Sequence, residues 1–261
     1  MPQIDRHQLI ACLRQALQNL PEVLAAWEGG SAAFSYLDEL SDVDAVAVVE
    51  DNALDAVFSA VEAALTQLSP VTLRHDVAGS VGYTQKFYRL RDASEFLVLD
   101  LVLLRRSDPL LFREVELHGE GKTWFDRAGL LTPAHLDARA DLAAARARIA
   151  PLRSGFEMFQ HIVSKERLRG RAVEALQFYQ AMSLRPLVEA LRLLHCPHKR
   201  GFGLRYLARD LPAELLPRIE RLAYVADLQD LEAKHAELQR WFRETILALE
   251  QGELGKPPGP N

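Results

Sequence analysis

The stretch EGGSAAFSYLDELSDVDAVAVVED, from Glu28 to Asp51, carries two carboxylates at the start of an otherwise apolar strand. Asp42 and Asp44 stand two residues apart, and residues two apart on a strand share one face of the sheet. A buried carboxylate costs several kcal/mol unless it is paired or binds a metal. The pair therefore indicates a functional site at the edge of a hydrophobic core.

A third acid, Asp100, lies within a second apolar strand, FLVLDLVLLR. Three carboxylates on two buried strands predict a site for two Mg²⁺ ions. Mn²⁺ is the alternative, because oxygen-only ligands suit these ions and not zinc. Two such ions lie about 3.5–4 Å apart and clamp the attacking and leaving oxygens of a displacement at phosphorus.

Upstream, Gly29, Gly30 and Ser31 precede a short helical segment. Glycines let the backbone approach a phosphate, and the free N–H groups at a helix start attract anions. The Ser31 hydroxyl can add a hydrogen bond to a β- or γ-phosphate oxygen. Together with the acids, this turn predicts binding of a Mg-nucleoside triphosphate.

The order Gly-Ser, ten residues, Asp-Val-Asp and then an apolar strand resembles the signature of the polymerase-beta-like nucleotidyltransferases, over roughly residues 23–105. In that superfamily a third aspartate on a later strand completes the metal site, and Asp100 matches it. The helical half that follows is similar in layout to the accessory domain of the kanamycin- and lincosamide-type antibiotic nucleotidyltransferases and their uncharacterised relatives.

This resemblance implies an adenylyltransferase-like enzyme that moves AMP from ATP to an acceptor hydroxyl and releases pyrophosphate. Asp42, Asp44 and Asp100 would be its catalytic and metal-binding residues, and Gly30 and Ser31 would hold the nucleotide's phosphates. Relatives often contribute basic residues of the helical domain to the triphosphate. The candidates for that role here are Arg185, Lys199 and Arg205, with Lys165 as another, although for any one of them taken alone a solvated surface charge is the favoured interpretation.

The first half of the chain alternates helix and strand, and everything from Thr132 onward shows helical periodicity. Pro151 is expected to separate two helices, and Pro186 to kink or divide a third. We expect an α+β fold, with a mixed sheet and helices in a nucleotidyltransferase domain over 1–128. An all-α helical bundle follows over 129–250, and 251–261 is expected to be a disordered tail.

Charge is unevenly distributed along the 261 residues. The segment 1–132 has 11 basic and 20 acidic residues, a net of −9, whereas 133–261 has a net of +4. The acidic first half disfavours a nucleic-acid acceptor and favours a cationic small molecule, with a protein acceptor also open. With two cysteines and no long apolar run, the sequence predicts a cytoplasmic protein without a membrane partner.

Other interpretations stay open on the sequence alone. Any one of the three aspartates could be a turn residue or an ion-pair partner, although the complete set favours a metal site. Glu28 could line the site or simply be exposed to solvent. The chain could also be a non-catalytic nucleotide-binding or regulatory module of the same fold, and its oligomeric state is undetermined.

Overall fold

The structure is a computed structural model that describes residues 4–78, 82–108 and 112–255. The chain divides into two compact units, Met1–Leu136 and Asp137–Asn261. The first unit contains a sheet with helices, and the second is helical in its described part. We call them the sheet unit and the helical unit.

The described part of the sheet unit has six strands and four helices. The strands are β1 (Val23–Glu28), β2 (Val43–Val49), β3 (Val71–Asp76), β4 (Tyr83–Leu90), β5 (Val98–Arg105) and β6 (Lys122–Asp126); the helices are α1 (Arg6–Gln18), α2 (Gly30–Ala33), α3 (Leu54–Leu68) and α4 (Val115–His118). The strand order is β3-β4-β5-β2-β1-β6. The pair β2–β5 is parallel and the other neighbouring pairs are antiparallel, so β2 and β5 begin at the same edge of the sheet.

Helices α1 and α3 cover one face of the sheet. Helix α1 begins with a capping box, in which Asp5 and Gln8 each accept a hydrogen bond from the other's backbone N–H. The apolar stripe of α1 packs with that of α3 against alternate residues of β2 and β5. Burial of these two stripes holds the helices on the sheet.

The opposite face of the sheet has a smaller apolar cluster. Its buried members include Val46 and Val48 of β2, and Val102 and Leu104 of β5. Because side chains alternate along a strand, the residues that precede these pairs by two, Asp44 and Asp100, share this face. The acids therefore project from the sheet on the side away from α1 and α3.

The helical unit is built around two long helices with shorter ones between them. Its α-helices are α5 (Ala138–Leu168), α6 (Ala172–Tyr179), α7 (Arg185–His195), α8 (Leu207–Asp210), α9 (Leu216–Ala223) and α10 (Leu228–Glu250). A π-helical turn, Gln180–Leu184, joins α6 to α7, and 3-10 helices occupy Pro197–Phe202 and Ala213–Leu215. The rings of Phe156 and Phe242 stack at 3.6 Å between centroids in the core.

The predicted fold class, a mixed sheet with helices followed by a helical region, is confirmed. Pro151 does not separate two helices, because α5 continues through it. The buried stripe that includes Ile149 and Leu152 extends across the proline, and its packing outweighs the lost backbone hydrogen bond. Near Pro186 the expected irregularity is present as the π-helical turn just before that residue.

Strand β3 was not predicted from the sequence. Its residues, VTLRHD, are exposed along almost the whole strand, and so the alternating apolar pattern that marks a half-buried strand is missing. Most of the predicted tail, 251–261, lies outside the described residues. Within the described ranges, no helix is long and apolar enough to cross a membrane.

Candidate active site

Strands β2 and β5 place two of the predicted acids side by side. Asp44 and Asp100 are direct partners in the parallel register of these strands. Asp42 lies in the loop just before β2, two residues ahead of Asp44. The structure therefore gathers all three acids at the edge where β2 and β5 begin.

The glycine turn after β1 lies against Asp44. Gly30 has a φ of +55°, and a Cβ built on it would stand 1.6 Å from a carboxylate oxygen of Asp44. The Gly29 N–H donates to the Asp44 backbone carbonyl at 2.9 Å, which fixes the turn to β2. Only glycine fits this position, because it both reaches the left-handed conformation and leaves room for the carboxylate.

Ser31 presents two donors at the same place. Its backbone N–H donates a hydrogen bond to the Asp44 carboxylate. Its side-chain oxygen is buried, and no hydrogen-bond partner for it exists among the described residues. A buried hydroxyl without a partner is costly, so Ser31 is suited to donate to an oxygen of a bound ligand.

The pKa values of all three carboxyl groups are raised. Burial, together with the neighbouring charges of Asp42 and Asp100, raises the pKa of Asp44 to about 7. Burial raises the pKa of Asp100 to about 6, with Asp42 adding to the effect and the Gln85 hydrogen bonds opposing it. Burial also raises the pKa of Asp42. Three acids that resist ionisation together would be stabilised as carboxylates by a divalent cation.

The donor set fits Mg²⁺ or Mn²⁺ in its chemistry, since it consists of carboxylate oxygens. Within the described ranges, however, no three His, Cys, Asp or Glu side chains are already gathered as a metal-binding group. The Gln85 amide nitrogen lies 2.8 Å from each carboxylate oxygen of Asp100. Metal binding would therefore require Asp100 to exchange this amide for the cation.

Arg6, at the start of α1, is a site residue that the sequence reasoning missed. Its Nε donates to the Asp42 backbone carbonyl at 3.2 Å, and its guanidinium pairs with the carboxylate of Glu28. Glu28 is only 3% exposed, so it is buried and ion-paired, and its solvent-exposed alternative is wrong. Burial lowers the pKa of Arg6 while Asp44 and Asp42 oppose that shift. Arg6 supplies a positive charge beside the acids and fixes the loop that carries Asp42.

Arg6 carried no signal in the sequence, and Gln85 carried only a weak one. Arg6 precedes Asp42 by 36 residues, and only the packing of α1 on the sheet brings them together. Gln85 lies in β4, an antiparallel neighbour of β5, where it stands opposite Val102 and reaches Asp100 diagonally across the two strands. A polar residue within the strand pattern YTQKFYRL was the single available hint.

The basic candidates of the helical unit occupy different elements. Lys165 is exposed near the end of α5. Lys199 is largely buried and its ammonium contacts Asp210 at 2.8 Å. The guanidinium of Arg205 lies over the rings of Phe202 and Tyr206, at 5.5 and 5.9 Å from their centroids.

Comparison with known proteins finds similarity at the level of structure. No protein-family model matches the sequence, and no curated protein matches it. An aminoglycoside 6-adenyltransferase from Bacillus subtilis is 12% identical, with 95% of this chain and 91% of that chain covered at a TM-score of 0.40. A nucleotidyltransferase-like protein from Exiguobacterium sibiricum 255-15 is 15% identical, with 92% and 77% covered at a TM-score of 0.40.

A putative nucleotidyltransferase from H. pylori is 14% identical, with 94% of this chain and 95% of that chain covered at a TM-score of 0.25. At these identities and TM-scores the likeness carries no argument about activity, which has to come from the site itself.

Proposed function

We propose that this chain is a nucleotidyltransferase that moves a nucleoside monophosphate, AMP from ATP, to an acceptor hydroxyl. The observation that carries the proposal is the glycine turn packed on Asp44. It places the Ser31 hydroxyl beside an acid that pairs in register with Asp100. A phosphate-binding turn and a set of mutually repelling carboxylates then lie at one sheet edge.

Asp42, Asp44 and Asp100 would hold two Mg²⁺ ions. These ions would supply charge neutralisation at the attacking and leaving oxygens of the displacement. The hydroxyl of Ser31 donates to a β- or γ-phosphate oxygen, and Gly30 lets the backbone approach the same group. Lys165, Lys199 and Arg205 are candidates for further contacts to the triphosphate.

Asp100 is the candidate for accepting the proton of the acceptor hydroxyl. Its carboxylate lies beside Asp44 in the strand register, at the sheet edge where the acceptor hydroxyl would be activated, and a carboxylate can act there as a general base. The acceptor oxygen forms a bond to the α-phosphorus, the bond from that phosphorus to the α,β-bridging oxygen breaks, and pyrophosphate leaves. The hydroxyl proton passes to the Asp100 carboxylate. Arg6 acts as a positioning residue because it holds the Asp42 loop.

The acceptor is proposed from charge. Residues 1–132 have a net charge of −9, and an acidic surface attracts a cationic small molecule and repels a polyanion. A small molecule with amino and hydroxyl groups would be attracted by this negative charge and would also supply the acceptor hydroxyl.

The test uses ATP labelled either on the α-phosphorus or on the γ-phosphorus, with Mg²⁺ and a panel of amino-hydroxyl compounds. We expect the α-label to appear on the acceptor and the γ-label in pyrophosphate. Asp42→Asn and Asp44→Asn should abolish both signals, since each removes a ligand charge. Transfer that is unchanged in both variants would sink the proposal.

One observation favours a second candidate, a nucleotide-binding module without turnover. Both carboxylate oxygens of Asp100 are engaged by Gln85, which would hold this acid away from a metal. Calorimetry with ATP, with and without Mg²⁺, separates the two. Metal-dependent binding followed by pyrophosphate release supports the enzyme, and binding without release supports the module.

A further inference from the structure

A cavity of about 350 Å³ opens on the surface of the helical unit and is built from residues of that unit alone. Its walls come from α5, α7 and the 3-10 helix with the residues that follow it. The lining residues are Arg148, Arg185, Glu189, Arg200, Gly201 and Gly203. Three guanidinium groups and one carboxylate thus surround a space of the size that small-molecule sites occupy, about 300–1,000 Å³.

Two of the three arginines already have acidic partners. Arg148 makes a two-pronged ion pair with Glu189, at 2.5 and 3.0 Å. Arg200 pairs with Asp141 at 2.6 Å and also donates to the Pro197 carbonyl. These contacts hold the walls of the cavity and leave its positive charge only partly compensated.

Arg185 is the exception. The structure gives its side chain no hydrogen bond or ion pair with any residue in the described ranges, although it lines the cavity. Its backbone is well fixed, since Leu184 and Leu187 beside it are buried in the core. It also follows directly on the π-helical turn Gln180–Leu184, a distortion that is frequent at functional sites. Arg185 is exposed, and a guanidinium at a cavity wall that has no partner in the described ranges is suited to bind an anion.

The surrounding segment carries an excess of positive charge. From residue 185 to residue 210 the sequence has six lysines and arginines and two acids. One of those acids, Asp210, is shared by the side chains of Arg192, Lys199 and Arg209, at 2.9, 2.8 and 2.9 Å. The local potential therefore favours an anionic ligand.

We propose that this cavity binds a dianionic small molecule, with a phosphate monoester as its best match, through Arg185 together with Arg148 and Arg200. Three arginines and one glutamate line the cavity, and Asp141, which pairs with Arg200 beside the lining, brings the local net charge to +1. A phosphate monoester carries about −1.5 to −2 at neutral pH and exceeds this charge by less than a triphosphate does. Among the described residues that line the cavity there is no aromatic side chain to receive a nucleobase. The site is thus distinct in chemistry from the nucleotide site at the acids, and it does not rest on the proposed transfer reaction.

The experiment titrates inorganic phosphate, and then glycerol 3-phosphate, into the full-length protein without divalent metal, followed by calorimetry. Arg185→Gln should weaken binding about tenfold or more, because it removes charge-assisted hydrogen bonds. The matched control is Arg240→Gln, which makes the same charge change at an exposed residue of α10 outside the lining. It should alter affinity by less than about twofold.

Glu189→Gln should tighten binding, since it removes the one acid from the lining and releases Arg148. The proposal is overturned if neither phosphate compound binds saturably, or if Arg185→Gln and Arg240→Gln weaken binding equally, which would indicate diffuse surface attraction. It is also overturned if ATP displaces the bound phosphate compound, because the cavity would then belong to the nucleotide. Thermal unfolding of each variant confirms that it is folded. Nucleotidyl transfer is assayed separately, with Mg²⁺ and labelled ATP, so a failure to bind phosphate here leaves that proposal to its own test.

Discussion

Alanine at position 30 puts a methyl group where the Asp44 carboxylate stands. The Cβ would lie 1.6 Å from a carboxylate oxygen, whereas ordinary van der Waals contact begins at 3.4 Å. The carboxylate or the turn therefore has to move by about 1.8 Å, the difference between these distances. The left-handed φ of +55° adds roughly 1–2 kcal/mol for any residue with a Cβ.

A displacement of this size should impair both metal binding and folding. Mutations of groups that orient metal ligands cost about 10- to 100-fold in metal affinity, and Gly30→Ala moves a ligand itself. We expect Mn²⁺ affinity, measured by electron paramagnetic resonance with an ATP analogue present, to fall by at least about tenfold. The free energy of unfolding should fall by about 1–3 kcal/mol.

Gly29→Ala is the matched control. A Cβ at Gly29 has no atom within 4 Å, and its φ of −101° is open to any residue. We expect this variant to bind Mn²⁺ within about twofold of the wild type. The close approach of Gly30 to Asp44 would be refuted if Gly30→Ala bound Mn²⁺ as well as Gly29→Ala does.

Three further predictions concern charges. Because the pKa of Asp44 is raised to about 7 from 3.8, the folded chain binds this proton more tightly than the unfolded chain. The contribution of this proton to the free energy of unfolding is full below about pH 4 and is lost as pH rises through 7. The Asp44→Asn variant should therefore have a higher metal-free Tm than the wild type at pH 8 and nearly the same Tm at pH 4. Arg6→Met leaves the buried Glu28 carboxylate unpaired and should cost about 3–5 kcal/mol in chemical denaturation, and a cost below about 1 kcal/mol would show the pair to be dispensable. Asp210→Asn leaves the buried Arg192 guanidinium without its ion-pair partner and should cost a similar amount, with an unchanged denaturation midpoint as the contrary result.

The three acids were predictable because the sequence patterns that mark them lie within a few residues of each acid. A strand alternates its side chains, so the spacing of Asp42 and Asp44 fixes a shared direction, and the apolar residues around Asp100 mark a buried strand. The close approach of Gly30 was implied by the glycine turn, but its partner, Asp44, became visible only with the strand pairing.

The groups around the acids were not predictable. Arg6 and Gln85 reach the site through helix packing and strand register, and neither relation leaves a fixed spacing in the sequence. The irregular backbone near Pro186 was expected, whereas the continuity of α5 through Pro151 was not, because local propensity carries no information on tertiary packing. Lys165, Lys199 and Arg205 stay predictions, and of these Lys199 is already engaged by Asp210.

Three carboxylates at the start of β2 and β5 are proposed to bind two divalent ions together with a nucleotide. The stoichiometry of Mn²⁺ bound to the full-length protein with a non-hydrolysable ATP analogue, measured by electron paramagnetic resonance at pH 8, tests this proposal. We predict two ions per chain for the wild type and at most one for Asp44→Asn. Asp44 is the partner of Asp100 in the strand register, and the charges of both Asp42 and Asp100 act on its carboxylate. The proposed metal site would be wrong if the wild type and the triple variant Asp42→Asn, Asp44→Asn, Asp100→Asn bound equal amounts of Mn²⁺.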